Sequence, residues 1–285
     1  MNRLVYRVSA FPKANKGGNE AGVVLETHNI TETEMQKIAN YVGYSETAFI
    51  FESDKADMKL RYFSPTTEVP LCGHATIGAF NLLRNLDRID KEIYTIETKN
   101  TVLEIRIKPE SVLMELAPAK IKTGPSKADI LTLLSLPDDK VISNDIKIVS
   151  TGIEEIFVEV DSLKTLYELT LDFEKVKALC IKKGCSGLYV FTLETEESYA
   201  FAHGRNFLPV LGIDEESATG TASGALAIYL REEKNMKQKS YIFEQGNVLG
   251  KPSIIEVELV NTQHYYPRVF VGGSMRFIDK IIKYL

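Results

Sequence analysis

Apolar positions along the chain switch between two periods, and the switches divide it into many short strands and a few helices. Short runs rich in β-branched and aromatic residues predict strands at residues 4–10, 21–26, 47–52 and 58–63, around Tyr94, and at 102–107 and 112–116. A Gly-rich turn at Gly17, Gly18 and Asn19 joins the first two. Thr31 and Glu34 form a capping box ahead of Met35, Ile38, Ala39 and Val42, whose spacing predicts a helix ending at Gly43. A second helix, made of small apolar residues, is predicted from about Gly73 to Leu86. Pro118, Gly124 and Pro125 then punctuate the chain and mark an expected domain boundary. Beyond them the pattern predicts helices near 128–136, 173–182 and 220–231. Strands are predicted at 146–150, 156–160, 188–193, 199–207, 241–244, 254–259 and 269–278. Strands outnumber helices without alternating regularly with them, which disfavours a doubly wound parallel sheet and predicts an α+β architecture.

An internal repeat organises these elements. Arg61, Phe63, Pro65, Glu68 and Gly73 lead into an apolar helix ending at Arg84; Arg205, Phe207, Pro209, Glu215 with Glu216, and Gly220 lead into one ending at Arg231. The shared order predicts two similar lobes, each with its own central helix. The expected division is residues 1–118, joined by 277–285, against 119–276. Both repeat helices are apolar on nearly every side, so each is expected to be enclosed by strands. Enclosure fixes their N-terminal ends, where unpaired amides and the positive end of the dipole gather. If a pseudo-twofold axis relates the lobes, Gly73-His74 and Gly220-Thr221 face each other across a cleft and offer a site for a small carboxylate. The plainer reading is that these glycines only permit tight strand-to-helix turns.

Composition narrows the partners. With 34 Lys and Arg against 39 Asp and Glu, the formal net charge is -5, which excludes a phosphate-backbone footprint and so a nucleic-acid partner. The three cysteines, Cys72, Cys180 and Cys185, match no zinc-ligand or CxxC spacing and fit a reduced, cytoplasmic setting. The opening residues read as mature protein and not as a signal peptide, and no apolar run approaches a membrane span. No phosphate-cradling glycine motif is present.

Candidate chemistry centres on a few residues. Glu46 directly precedes an apolar strand, so partial dehydration suits it to general acid–base work, against the plain alternative of a solvated strand-edge carboxylate. His74 sits at a helix N-terminus, where the dipole favours a neutral imidazole able to hydrogen-bond a substrate or pass a proton. Cys72 is positioned for a thiolate base, but Thr219 occupies the matching place before Gly220, so a two-thiol racemase is disfavoured and Cys72 is assigned to packing. Glu215 and Glu216 favour the dipole of the second helix or orient a substrate group.

At these positions the chain resembles the PhzF-type phenazine-biosynthesis-like isomerases. The resemblance rests on Asn19-Glu-Ala-Gly-Val23, Ser45-Glu-Thr-Ala-Phe49, Glu68-Val-Pro-Leu-Cys-Gly-His-Ala-Thr76, Ala218-Thr-Gly-Thr-Ala222 and the closing Val271-Gly-Gly273, which together span the chain. It implies a diaminopimelate-epimerase-like fold: two pseudo-symmetric lobes, each a strand-rich barrel around a central helix, with the active site between them. It also implies a homodimer that needs neither cofactor nor metal and moves a proton on a small carboxylate, as in isomerisation of trans-2,3-dihydro-3-hydroxyanthranilate. The resemblance makes Glu46 the acid–base residue, His74 an active-site histidine and Glu216 the counterpart of the family aspartate. Ser45, Gly73, Gly220 and Thr221 become substrate-binding residues. Glu216 and Thr221 replace the family's Asp and Ser, and the longer acid and added methyl group are expected to narrow the room near the second helix. The competing expectation is a binding or regulatory protein that keeps the cleft without turnover.

Overall fold

A computed structural model describes residues 2–284. The chain runs β1 (Asn2–Ala10), β2 (Asn19–Val24), α1 (Glu32–Val42), β3 (Glu46–Phe51), β4 (Met58–Phe63), β5 (Glu68–Val69), α2 (Gly73–Asn85), β6 (Ile93–Glu97), β7 (Val102–Ile107) and β8 (Val112–Glu115). It continues β9 (Lys120–Thr123), α3 (Lys127–Leu134), β10 (Lys147–Ser150), β11 (Glu154–Glu159), α4 (Leu163–Glu168), α5 (Phe173–Lys183), β12 (Gly187–Thr192) and β13 (Ala202–Leu208). The last elements are β14 (Ile213–Glu216), α6 (Gly220–Glu233), β15 (Ser240–Gln245), β16 (Ser253–Val260), β17 (Arg268–Gly273) and β18 (Met275–Tyr284). No helix among the described residues is long and apolar enough to cross a membrane.

Two compact units emerge, Met1–Glu115 with Gly272–Leu285, and Leu116–Val271. The chain passes between them a few residues earlier than Pro118 and residue 277. Leu116 already donates its N–H to the Val269 carbonyl at 2.9 Å and therefore belongs to the second unit. The single strand expected over 269–278 is two strands interrupted at Ser274. Pro118 and Pro125 flank β9, an exposed strand with the alternating but mostly polar sequence KIKT, which gives the hydrophobic pattern little to register.

In the first unit, β1 pairs antiparallel with β18 and β2, β2 runs parallel to β3, β3 pairs antiparallel with β4, β4 runs parallel to β6, and β6 pairs antiparallel with β7. The second unit repeats this wiring. There β10–β11 is antiparallel, β11–β12 parallel, β12–β13 antiparallel, β13–β15 parallel and β15–β16 antiparallel. In each, a two- to four-residue strand, β5 or β14, folds back on its neighbour just before the central helix. The repeat in sequence is therefore a repeat in topology.

The repeated Arg, Phe and Glu have a structural meaning. Arg61 Nε lies 2.7 Å from Glu68 Oε1 and its guanidinium covers the Phe63 ring at 5.2 Å. Arg205 grips Glu215 through Nε and Nη2 at 2.9 and 2.8 Å and covers Phe207 at 5.0 Å. Each pair ties the short strand to the strand before it, and this accounts for Glu215.

Helix α2 is buried along Ala75–Leu83 and packs against β1, β2, β3, β8 and β18, so the sheet curls around it. A Cβ on Gly78 would fall 2.8 Å from Val8 Cγ2, so glycine is what lets helix and strand close to this distance. Outside the sheet, α1 has the expected capping box and ends at Gly43 in the left-handed region, at φ 74°. Its Met35, Ile38 and Ala39 pack on Val5, Val24, Phe49 and Phe63, with the two phenylalanine rings edge to face at 5.6 Å.

The second unit buries α6 from Ala222 to Leu230 against β10 and β16 and lays α3, α4 and α5 over the outer face of its sheet. The strand expected from Tyr199 begins only at Ala202. The segment before it is a loop pinned by buried Glu244, which accepts the N–H groups of Glu196 and Glu197, both at 2.8 Å, and contacts His203 Nδ1 at 2.9 Å.

Glu155 on β11 is fully buried, and burial pushes its pKa up to about 8, with the Asn206 side chain pulling the other way. In the unfolded chain this carboxyl ionises near pH 4.5. Between that pH and about 8 the folded state holds a proton that the unfolded state has released, so stability falls as pH rises through this window. Glu155→Gln is expected to melt close to the parent at pH 4.5 and to be more stable at pH 8.5 by at least ~1.4 kcal/mol, the equivalent of one pKa unit. Denaturant melts at the two pH values check this.

Candidate active site

In the first unit, the loop leaving α1 delivers Ser45 and Glu46 to the start of β3, where Glu46 pairs in parallel register with Ala21. The residues around the start of α2 meet them there. His74 Nε2 stands 3.4 Å from Glu46 Oε2 and 3.3 Å from Ser45 Oγ. The two side chains are shielded but not sealed, His74 being 11% and Glu46 22% exposed. Cys72 caps α2 without any capping bond from its side chain. Its thiol is instead within reach of the carboxylate, with Sγ 3.4 Å from Glu46 Oε2, and lies 3.5 Å from His74 Nδ1.

Cys72 is the residue that sequence reading under-assigned. It is buried, as packing required, but its sulfur faces the carboxylate and the imidazole. Its spacing to His74 was visible; the proximity of Glu46, 26 residues earlier in the chain, was not.

The backbone beneath this cluster is held from inside. Tyr62 Oη lies 2.6 Å from Thr76 Oγ1, which donates to the Cys72 carbonyl at 2.7 Å. That carbonyl also receives the Thr76 N–H at 3.1 Å, the first bond of the helix. The N–H groups of Gly73, His74 and Ala75 precede it and have no helical acceptor. With no acidic residue in the first turn, the positive end of α2 is left for a ligand.

The remaining sequence-predicted residues lie in the second unit. Glu216 ends β14 opposite Asn206, and its carbonyl accepts Gln245 Nε2 at 2.8 Å. Gln245 also receives the Thr219 N–H at 3.2 Å, so one buried amide fixes the entry to α6. Gly220 and Thr221 open that helix, whose cap Thr219 likewise makes no side-chain capping bond. The extra methyl of Thr221 points at Gly152, where a Cβ would come within 3.1 Å, so glycine provides its space. A separate cavity of about 710 Å³ in the first unit is lined by Thr27, His28, Ile50, Met58 and Arg88 among others, and includes none of the predicted site residues.

The α+β fold of two like-wired units, each around an enclosed helix, is the fold of solved PhzF-family proteins. The family model for phenazine biosynthesis-like proteins matches residues 8–277. The chain belongs to this PhzC–PhzF family and is an isomerase. It is 36% identical to the uncharacterized isomerase YfhB of Bacillus subtilis, with 98% of each chain covered. It is 35% identical to an uncharacterized isomerase of Clostridium acetobutylicum over 97% of this chain and 96% of the relative. A Bacillus anthracis PhzF-family crystal structure superposes over the full length of both chains with a TM-score of 0.91 at 28% identity. A hydroxyproline epimerase from Agrobacterium vitis shares the fold at a TM-score of 0.60 and 13% identity, covering 99% of this chain and 91% of that one.

The two helix-opening glycines differ in what packing asks of them. A Cβ on Gly73 would meet only Met114 Cε, at an ordinary 3.5 Å, whereas one on Gly220 would fall 3.1 Å from Val271 Cγ1. Gly73→Ala is therefore expected to leave stability within ~1 kcal/mol of the parent, alanine being the better helix former. Gly220→Ala is expected to cost ~1 kcal/mol or more through crowding. Parallel thermal melts test both; a large loss in Gly73→Ala would show that its glycine serves the turn and not a ligand.

Proposed function

We propose that this isomerase moves a proton between two carbons of a small carboxylate, with Glu46 as acid and base and without a metal or cofactor in the step. The observation that supports this is the Glu46 carboxylate standing 3.4 Å from the His74 imidazole at the amide-rich start of α2. A substrate carboxylate bound to the Gly73 and His74 amides has its acidic C–H beside Glu46. Glu46 takes that proton as the C–H electron pair moves into an enolate-type intermediate, then returns the proton to a second carbon. The amides stabilise the negative charge that develops in between. His74 and Ser45 hydrogen-bond the substrate and keep the carboxylate aligned.

In the second unit, Glu216 takes the role of the family aspartate, and the Gly220 and Thr221 amides act as carboxylate donors. The substrate type is that of trans-2,3-dihydro-3-hydroxyanthranilate, with the longer Glu216 side chain favouring a smaller relative. A homodimer acting in the cytoplasm follows from the same family reading.

A second reading is favoured by one contact: Cys72 Sγ at 3.4 Å from Glu46 Oε2 places a thiol where it too can exchange a proton with substrate. Glu46→Gln is expected to keep the fold and ligand affinity while lowering turnover and solvent-deuterium incorporation by about 10²–10⁴-fold. The measurement is NMR of substrate protons in deuterated buffer across small amino and hydroxy acids. Full exchange in Glu46→Gln, with loss in Cys72→Ala, would move the base to the thiol. Exchange absent from the parent chain across the panel, with binding intact, would favour the non-catalytic binding protein.

A further inference from the structure

The inner face of the second unit's sheet carries a carboxyl that no step above uses. Glu155 on β11 is fully buried, and among the described residues no Lys, Arg or His pairs with it. Its neighbour Ile156 packs outward in the core beneath α3, α4 and α5, so Glu155 faces inward, toward α6. Glu216 on β14 faces the same interior. Glu215 turns outward to clamp Arg205, whose guanidinium also donates to the Leu166 and Leu169 carbonyls at the end of α4; Glu216, the next residue, turns inward beside Asn206. The groups that face Glu155 are Asn206 on β13, Tyr189 on β12, Cys185 just before β12, and Glu216. Tyr189 in turn touches Ser223 in the first turn of α6.

The first unit has no carboxyl at either place. Tyr62 and Asn206 are equivalent, each lying between the Arg and the Phe of the repeated clamp. Tyr62 pairs with Ala48 and Val69, and Asn206 with Tyr189 and Glu216. One strand further, Ala48 pairs with Val23 and Tyr189 with Phe157; two residues before these stand Ala21 and Glu155. Glu155 and Glu216 thus occupy the places of an alanine and a valine, so the shared architecture does not demand acids there. Two carboxyls set into one interior, with no cation against the buried one, cannot both ionise without a large desolvation cost. The proton stays on the sealed group. Burial pushes Glu155 up to about 8, with Glu216 adding to the rise, while Glu216 itself is only half-buried.

We propose that Glu155 is a positioning residue for Glu216: sealed behind it, Glu155 keeps the one proton of the pair and leaves Glu216 as the charged member at the opening of α6. At neutral pH the interior then puts no negative charge of Glu155 behind the Gly220 and Thr221 amides, which stay available to a substrate carboxylate. When Glu155 releases its proton to solvent in alkali, a second charge appears behind them and opposes the anion; no other bond forms or breaks. The pair itself follows from the fold of the second unit, whereas its effect on substrate rests on the reading of Glu216, Gly220 and Thr221 as site residues.

The test is a pH titration, followed by NMR, of the full-length chain labelled with carbon-13 at the glutamate carboxyls, the two signals being identified by their loss in Glu155→Gln and in Glu216→Gln. Glu155 is expected to stay protonated at neutral pH and to ionise near pH 8, and the Glu216 signal to show a second, smaller step at that same pH. The second step is expected to vanish in Glu155→Gln, and the Glu155 midpoint to fall in Glu216→Gln because the like charge is gone. Persistence of the step in Cys185→Ser separates it from ionisation of the nearby thiol. Glu155 already ionised at neutral pH, or a Glu155 midpoint that Glu216→Gln does not move, overturns the proposal. If Glu155→Gln does not fold, the glutamate signal of highest midpoint is followed in Glu216→Gln instead, and its failure to move is equally decisive. With a substrate from the exchange panel, kcat/KM of the parent is expected to fall at least about threefold above that midpoint, a fall absent from Glu155→Gln. Coupled steps with a parent kcat/KM indifferent to this pH keep the carboxyl pair and remove the α6 opening from the site, a failure of the functional reading and not of the pair.

Discussion

An α-helix with no polar face has to be covered on every side, and this requirement organises the first unit. Ala75 to Leu83 are all buried, and the sheet supplies the cover by curling until strands from both ends of its ladder, β8 and β18, touch the same helix. Once the helix is enclosed, its N-terminus has one position. Thr76 and Tyr62 bolt the Cys72 carbonyl from the interior, while Asn81 ties the middle of the helix to the Gly273 carbonyl at 3.1 Å. The site is thus a by-product of burial: three orphan amides are delivered to a fixed point, and β3 brings a carboxylate to the same place. A helix with an amphipathic stripe lies on a surface instead, as α1 does, held by a capping box and a small cluster of side chains.

The second unit obeys the same constraint with different chemistry. Strand directions match pair by pair, and the Arg–Glu clamp with its stacked phenylalanine recurs at the matching place. Where the first helix opens Cys-Gly-His, the second opens Thr-Gly-Thr, and a buried glutamine holds Thr219 where internal hydroxyl contacts hold Cys72. The architecture that presents helix amides is duplicated, while the cluster of thiol, imidazole and carboxylate occurs at the opening of α2.

Legibility in the sequence follows from how local each cause is. The capping box of α1, the burial of α2 and α6 and most strands depend on residues within a turn or two of one another, so periodicity exposes them. Strands β5 and β14 are too short to show a period; what holds them is the salt bridge to Arg61 or Arg205, and the repeat registered those residues without revealing their job. The interruption at Ser274 was invisible because apolar residues continue on both sides of it. At the site, His74 and Gly73 were readable as a helix start. The approach of Glu46 to Cys72 depends on pairing β2 with β3, a long-range event that no window of sequence contains.

The closeness of thiol, imidazole and carboxylate follows from how the chain enters α2. The residue that caps α2 is extended, with φ -139° and ψ 114°, as the chain enters the helix under its cover of strands. A serine or threonine N-cap often turns its hydroxyl back onto the helix amides, but Thr219 at the matching place before α6 does not, its hydroxyl accepting Gln245 Nε2 at 3.1 Å instead. A cysteine caps poorly, leaves the amides open and buries well. Both helices thus begin without a side-chain cap, α2 because a thiol caps poorly and α6 because its cap hydroxyl is taken up by Gln245, and both follow from the geometry of the helix entry.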